Sequence, residues 1–356
     1  MKLLITGICG FVGSTLAMTW LEQEPGLTLY GLDNFSRPGS EANRKRLQRL
    51  GVKLIHGDLR LSSDLETLPA VDWVIDAAAN PSVLAGVDGH ASSRQVMEHN
   101  LLATLNVLEY CKRSGAGLIL LSSSRVYSIA PLSHLAVELH GQAFRPIVGQ
   151  TFPAGLGPLG ISETFSTTPP ISLYGSGKLA SEIMALEYGP AFDFPVWINR
   201  CGILAGAGQF GRADQGIFAY WINAWLRRLP LTYIGFGGSG HQVRDCLHPR
   251  DLLPLLRKQT ADRSTTGERI FNLGGGPANA ISLAELSAWC GERFGVRPVG
   301  RELDDRRFDL PWLVMDSARA AATWGWKPQT RLADILEEIA CHGEQHPEWL
   351  ELSGLP

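Results

Sequence analysis

Lys2-Leu3-Leu4-Ile5-Thr6-Gly7-Ile8-Cys9-Gly10-Phe11-Val12-Gly13 is a short apolar run followed at once by glycines at 7, 10 and 13. Behind it, Ser14-Thr15-Leu16-Ala17-Met18-Thr19-Trp20-Leu21 has helical periodicity, so the stretch reads as strand, tight turn and helix. In that arrangement Gly7 permits the turn, Gly10 lets backbone approach a pyrophosphate, and Gly13 allows close helix packing, with the helix N-terminus facing the anion. Phe11 and Val12 belong to the same cofactor loop. A second strand, Leu27-Thr28-Leu29-Tyr30-Gly31-Leu32-Asp33, ends in an acid twenty residues after Gly13. That is the spacing expected for a carboxylate bonding the adenosine ribose hydroxyls, and it favours NAD over NADP because Asp33 would repel a 2′-phosphate. Asn34, Ser36 and Arg37 extend this cofactor site, and the Arg37 guanidinium could accept a 2′-phosphate or stack on adenine.

Composition bounds the remaining possibilities. The 356 residues are 45% hydrophobic and 19% charged, enough to build the cores of two closely associated domains. A formal charge of -3 leaves no polybasic footprint, which argues against nucleic acid and membrane surfaces as partners. The six cysteines are scattered with no C-x-x-C pair, no apolar run reaches transmembrane length, and the first strand starts at the N-terminus. These features fit a cytoplasmic protein.

After Asp33 the alternation of strands and helices continues. Val52 to Asp58 reads as a strand that places Asp58 and Leu59 to border adenine, and Val71 to Ala79 as a buried strand whose small end, Ala77-Ala78-Ala79, leaves room for a cofactor. A long helix from about Ser92 to Ser114 contains Asn100 and stops at Gly115, and Gly117 to Ser123 is the next central strand. The pattern implies an α/β fold, a doubly wound parallel sheet with ligand at the carboxyl ends of its strands. Between Tyr127 and Tyr174 the pattern breaks: Pro131, Pro146, Pro153, Pro158, Pro169 and Pro170 mark an irregular excursion, about 128–172, too apolar for disorder and read as a lid. A helix from Tyr174 to about Tyr188 and a strand, Val196 to Arg200, follow. The expected organisation is a dinucleotide-binding domain over 1–200, to which segments at about 245–275 return, and a smaller substrate-binding domain over 201–356.

Tyr174 and Lys178 lie one helical turn apart on one face. An ammonium and a nicotinamide cation nearby would favour phenolate and lower the tyrosine pKa from about 10 towards working pH, making Tyr174 a usable base. Ser122-Ser123-Ser124 stand at a strand end, where a hydroxyl can orient substrate. His342 and His346, beside Cys341, have helical i, i+4 spacing but no third ligand, so no metal site is expected.

With these motifs the chain resembles the extended short-chain dehydrogenase/reductases of the nucleotide-sugar epimerase and dehydratase group over nearly its whole length. The resemblance implies the Rossmann version of the doubly wound sheet with bound NAD. It places the catalytic hydroxyl on Ser123, four residues before Tyr127 of the Val126-Tyr127 pair, with Tyr174 as base, Lys178 as its partner and Asn100 in support. Arg244-Asp245-Cys246-Leu247-His248-Pro249-Arg250-Asp251 resembles the group's R-D-x-x-H-x-x-D segment, implying that Arg244 contacts the nucleotide diphosphate; a salt bridge to Asp245 or Asp251 is the alternative.

A finer resemblance, to the CDP-paratose 2-epimerase branch, rests on Gly208-Gln209-Phe210-Gly211-Arg212-Ala213-Asp214-Gln215-Gly216, on Gly240-His241-Gln242-Val243-Arg244-Asp245, and on Ser162-Glu163. It implies that Ser124, Arg125, Asn199, Gln209, Gln215, Arg244 and Arg307 contact a nucleotide-sugar substrate, although the segment from Arg306 to Trp312 is only loosely like its counterpart. The implied activity is inversion at C2 of a CDP-sugar through a transient ketone, in a homodimer formed through the helices at 92–113 and 174–188. A UDP-sugar 4-epimerase, a sugar 4,6-dehydratase and a non-catalytic NAD-binding protein are the rivals. The dehydratases carry an Asp-Glu pair after the catalytic Ser or Thr, where this chain has Ser124-Arg125; non-catalytic relatives typically lose the Tyr, Lys or Ser, all present here.

Overall fold

Apolar runs with no polar interruption make strands that must be covered on both faces. In the computed structural model, which describes residues 1–87, 92–304 and 306–354, they assemble into one seven-stranded sheet. Its strands are β1 (Lys2–Thr6), β2 (Thr28–Asp33), β3 (Lys53–His56), β4 (Trp73–Asp76), β5 (Gly117–Ser123), β6 (Val196–Cys201) and β7 (Ile270–Leu273). Their order is β7-β6-β5-β4-β1-β2-β3, and the β1–β2, β1–β4, β2–β3, β4–β5 and β5–β6 pairings are parallel. Strand order reverses between β1 and β4, and a crevice at their carboxyl ends is where such a sheet takes its ligand. Thr6 pairs with Asp76 at that point.

Three helices matter for the site: α1 (Phe11–Gln23), α2 (Ala103–Ser114) and α3 (Ser172–Ala191). Helix α1 buries Leu16, Ala17 and Trp20. The single helix expected over 92–114 is interrupted: Ser93–Met97 is α-helical, Glu98–Leu102 is a π-turn around Asn100, and α2 follows, ending at Gly115 with φ 68°. A π-turn leaves a carbonyl outside the regular ladder, and the Asn100 carbonyl accepts from Ser181 Oγ of α3 at 2.7 Å. Val107, Leu108 and Cys111 of α2 and Ala185 of α3 pack with Leu118, Leu120 and Ile198 of the sheet in one core. Each such side chain contributes about 1.5–3 kcal/mol when fully buried.

The chain divides into two compact units. The first comprises Met1–Val126, Ser172–Cys201 and Pro249–Phe271; the second comprises Tyr127–Ile171, Gly202–His248 and Asn272–Pro356. In the second, Val243–Leu247 is the centre of a mixed sheet with Ile203–Leu204, Ala280–Ser282 and Trp312–Leu313. Helices Ile217–Leu226, Leu283–Phe294 and Leu332–Gln345 enclose Trp221, Trp225, Ile335 and Ile339 in its core.

The excursion at 128–172 differs from the sequence expectation. As far as Ile171 it belongs to the second unit rather than to the dinucleotide-binding domain, and it is ordered as a helix, Ile129–Ser133, and two hairpins, Val137–His140 with Ala143–Pro146 and Leu156–Gly157 with Gly160–Ile161. Partners distant in sequence hold it there: Phe144 N donates to the His241 carbonyl, Ser282 Oγ to the Gln142 carbonyl, and Ile161 pairs with Met315. No local periodicity records such partners, which is why the segment reads as irregular. Among the described residues no helix is long and apolar enough to cross a membrane.

Candidate active site

The glycine loop is shaped by contacts that leave no space for side chains. Gly7 has φ +60°, and a Cβ on Gly13 would stand 2.4 Å from the Gly7 carbonyl oxygen, so α1 begins against the turn only because position 13 is bare. Asp33 closes the loop from the end of β2, its carboxylate accepting from Cys9 N and Phe35 N, each at 2.8 Å. Burial pushes the Asp33 carboxyl up, against the pull of those backbone N–H groups. Asn34 Nδ2 donates to Asp58 (3.1 Å), and hydrogen bonds from Arg60 hold the Asp58 carboxyl well below the usual carboxylate range. Leu59 is buried beside it, whereas Ser36 is exposed and Arg37 half-buried. At the end of β4, Ala77 N and Ala78 N donate to Thr6 Oγ1 at 3.1 and 3.2 Å, and Ala79 is exposed. Phe11 is buried and Val12 half-buried. The bare loop, the α1 N-terminus and the Asp33 carboxylate at the switch point fit a dinucleotide with free ribose hydroxyls.

At the carboxyl end of β5 the structure brings Ser123, Tyr174 and Lys178 into one buried neighbourhood. Gly175 makes this possible, since a Cβ there would meet the Arg125 carbonyl oxygen at 2.2 Å. The Ser123 hydroxyl lies close enough to the Tyr174 phenol to act on it, and it accepts from Arg125 N at 3.1 Å. The expected lowering of the tyrosine is not what the protein by itself produces. Burial pushes the Tyr174 phenol up, while the neighbouring Ser123 hydroxyl and the Arg125 charge pull it down. Burial likewise pushes the Lys178 ammonium down, countered by Asp76, Glu182 and Cys201.

Asn100 exchanges two hydrogen bonds with the Asn80 backbone, accepting from its N–H (2.8 Å) and donating to its carbonyl (3.0 Å). Sequence reasoning missed the ion pair behind these residues: Arg200 of β6 meets Glu182 of α3 at 2.6 Å, and Ser122 Oγ also donates to Glu182. The signal was present, because Lys178 and Glu182 are one helical turn apart on the face that carries Tyr174.

The residues expected to meet substrate fare differently. Ser124 is buried and Arg125 half-buried in the 3-10 turn after β5. Asn199 is corrected: its side chain is wholly buried in β6 and exchanges paired hydrogen bonds with the Gln259 amide, at 2.9 and 3.0 Å, a structural pairing rather than a ligand face. Arg244 meets neither Asp245 nor Asp251 in a salt bridge but pairs with Asp309 at 2.7 Å and donates to the Leu310 and Val243 carbonyls; burial pushes its guanidinium down. Gln209 donates to the Leu204 carbonyl (2.9 Å) while its Oε1 is buried without a hydrogen-bond partner. The backbone of Gln215 exchanges hydrogen bonds with Arg212, and Arg307 is exposed. His342 and His346 pack against the Trp349 ring, and among the described residues no group of three or more His, Cys, Asp or Glu could hold a metal ion.

Fold and glycine site together define a nucleotide-cofactor enzyme of the α/β class. Residues 3–274 match the NAD dependent epimerase/dehydratase family, and the chain belongs to it, with NAD as its cofactor. It is 29% identical to CDP-paratose 2-epimerase of Salmonella typhi, over 95% of this chain and 98% of that one. It is 24% identical to UDP-glucose 4-epimerase of Corynebacterium glutamicum, over 95% and 94%. The crystal structure of UDP-glucuronic acid 4-epimerase from Bacillus cereus, in complex with UDP-glucuronic acid and NAD, superposes with a TM-score of 0.76 at 23% identity, covering 97% of this chain and 99% of that one, a likeness of fold.

Proposed function

We propose that the protein is an NAD-dependent epimerase of a nucleotide-diphosphate sugar, inverting C2 of a CDP-sugar as in conversion of CDP-paratose to CDP-tyvelose. The observation that carries this reading is the buried Tyr174 beside the Ser123 hydroxyl at the end of β5, with Lys178 one turn along α3. Gly7, Gly10, Gly13 and Asp33 would hold the cofactor, which supplies a hydride acceptor that returns the hydride it takes. Tyr174 removes the proton from the hydroxyl of the reacting carbon while Ser123 orients that oxygen. When the resulting ketone has presented its other face, Tyr174 gives the proton back. The charge of Arg125, which favours the phenolate, suits this work. Gln209 Oε1 has acceptor capacity for a sugar or ribose hydroxyl, and Gln215, Ser124, Arg244 and Arg307 remain candidates for substrate contact. The carbon and base assignments rest on the Gln209 to Gly216 and Gly240 to Asp245 segments and agree with the Salmonella relative. Exposed Leu102 and Ile183 lie on the helices through which we expect two copies to associate.

The test follows hydrogen. CDP-sugars of the paratose and glucose series turned over in deuterium oxide should give a product of unchanged mass inverted at C2, because the carbon-bound hydrogen goes out and back. Loss of water with deuterium gained at C5 would reject the epimerase, and inversion at C4 would move the carbon. Tyr174→Phe keeps the ring and removes the ionisable oxygen, so turnover should fall by at least ~10²-fold with NAD still bound.

A further inference from the structure

Ser122 near the end of β5 and Arg200 near the end of β6 are register partners in adjoining parallel strands. Side chains that stand side by side in this way leave the same face of a sheet. Here both converge on one carboxylate of α3. Ser122 Oγ donates to Glu182 Oε1, Arg200 Nε donates to Oε1 and Oε2 at 3.1 Å each, and Arg200 Nη2 donates to Oε2 at 2.6 Å. All three residues are buried. The guanidinium alone balances the carboxylate, so the serine adds nothing to the charge; what it adds is a hold on β5.

That hold reaches the reacting groups through short, stiff connections. Ser123 follows Ser122 directly, and because successive strand side chains point to opposite faces, pinning Ser122 fixes the twist of the strand end and with it the stance of Ser123. Ser123 Oγ already accepts from Arg125 N at 3.1 Å, which leaves its proton to be directed at another oxygen. On α3, Tyr174 and Glu182 are eight residues apart, roughly 12 Å along the axis and on one face, with Lys178 midway. The other end of this stretch is also seated: Gly175, next to Tyr174, lies so close to the Arg125 carbonyl oxygen that a Cβ would stand 2.2 Å from it. Helix α3 therefore meets the chain on either side of Ser123, at Ser122 through Glu182 and at Arg125 through Gly175. We propose that Glu182 is a positioning residue: by holding Ser122 and Arg200 together it sets the place of Tyr174 relative to Ser123, and so the geometry in which Tyr174 exchanges a proton with substrate. This rests on the reading of Tyr174 as the base.

Ser122→Ala removes the hydroxyl and leaves the ion pair. In the enzyme with its NAD, turning over CDP-paratose, or CDP-glucose if inversion falls at C4, kcat should fall about 10-fold while KM changes less than about twofold, because a small misplacement of reacting groups costs rate rather than binding. The double variant Glu182→Leu with Arg200→Met separates position from stability. Apolar packing keeps α3 on β6 but supplies no hydrogen bond to β5, so this protein should fold, bind NAD and still lose at least ~10-fold in kcat. A folded, NAD-binding Ser122→Ala or double variant whose kcat stays within about twofold of wild type, or whose loss lies wholly in KM, overturns the proposal. If one of the two does not fold, the other decides. Tyr174→Phe separates the two ideas: if it is inactive while the variants above keep their kcat, the tyrosine stands and the positioning role falls; if it is active, the tyrosine reading itself has failed.

Discussion

The two units bury charge in different ways. In the first, Glu182 and Arg200, 1% and 5% exposed at their side chains, form a forked pair between α3 and β6. In the second, Asp245 is wholly buried in Val243–Leu247, but its neighbour Arg244 is occupied by Asp309. The Asp245 carboxylate instead accepts from Gly276 N (3.1 Å) and Met315 N (3.3 Å), with Oδ1 left unpartnered. Burial, only partly offset by those N–H groups, raises its pKa to about 7. The buried Glu182 of the first unit is balanced by a guanidinium, whereas in the second unit, beside the Arg244–Asp309 pair, Asp245 rests on backbone N–H groups and can be neutral.

The comparison breaks most readily at its strongest pair. Glu182→Ala would leave Arg200 buried and unbalanced, and should lower unfolding free energy by roughly 3–5 kcal/mol in denaturant melts. The double replacement Glu182→Leu with Arg200→Met should recover most of it, and a loss under about 1 kcal/mol for the single change would show that the pair is not what stabilises α3 on β6. In the second unit the matching cut is Asp309→Ala. Because Arg244 and Asp309 are 12% and 10% exposed at their side chains, the loss should be smaller, roughly 2–3 kcal/mol by the same melts.

Asp245 sharpens the contrast through pH. Its folded pKa, about 7, lies above the unfolded value near 3.8, so its contribution to stability is fully present below the unfolded value and is lost as pH rises through about 7. The wild-type thermal midpoint should therefore carry a falling component between pH 4 and 8 that Asp245→Asn lacks. Equal slopes in both proteins would assign the slope elsewhere. The smallest effect expected is that of Trp349→Phe. Trp349 stacks on Phe210 at 5.0 Å and donates Nε1–H to the Gln209 carbonyl at 2.9 Å; Phe keeps the ring and loses the donor, so about 1 kcal/mol should be lost.

Local pattern carried the strands of the first unit well, because each is an apolar run ending at a glycine, a small residue or an acid: β1 at Gly7, β2 at Asp33, β4 at Ala77. It carried less of the second unit. The excursion at 128–172 draws its order from His241, Ser282 and Met315, more than 90 residues away in each case, and β7 shows no alternation that would announce it. Asn199 was misread for the same reason. A polar residue near a strand end resembles a ligand until Gln259, sixty residues later, is seen to occupy its amide.

By itself the sequence determined the glycine loop with Asp33 and the Tyr174 to Lys178 spacing, and through these the family. Their physics is local: backbone sterics at bare positions, and side-chain direction along a single helix turn. Only the tertiary structure decided the electrical setting of that tyrosine. Burial raises both its pKa and the cost of the Lys178 charge, and the groups that answer, Arg125, Asp76 and Glu182, come from three different elements. Their influence depends on distance and dielectric, which exist only after strands and helices far apart in the chain have packed around the same few atoms.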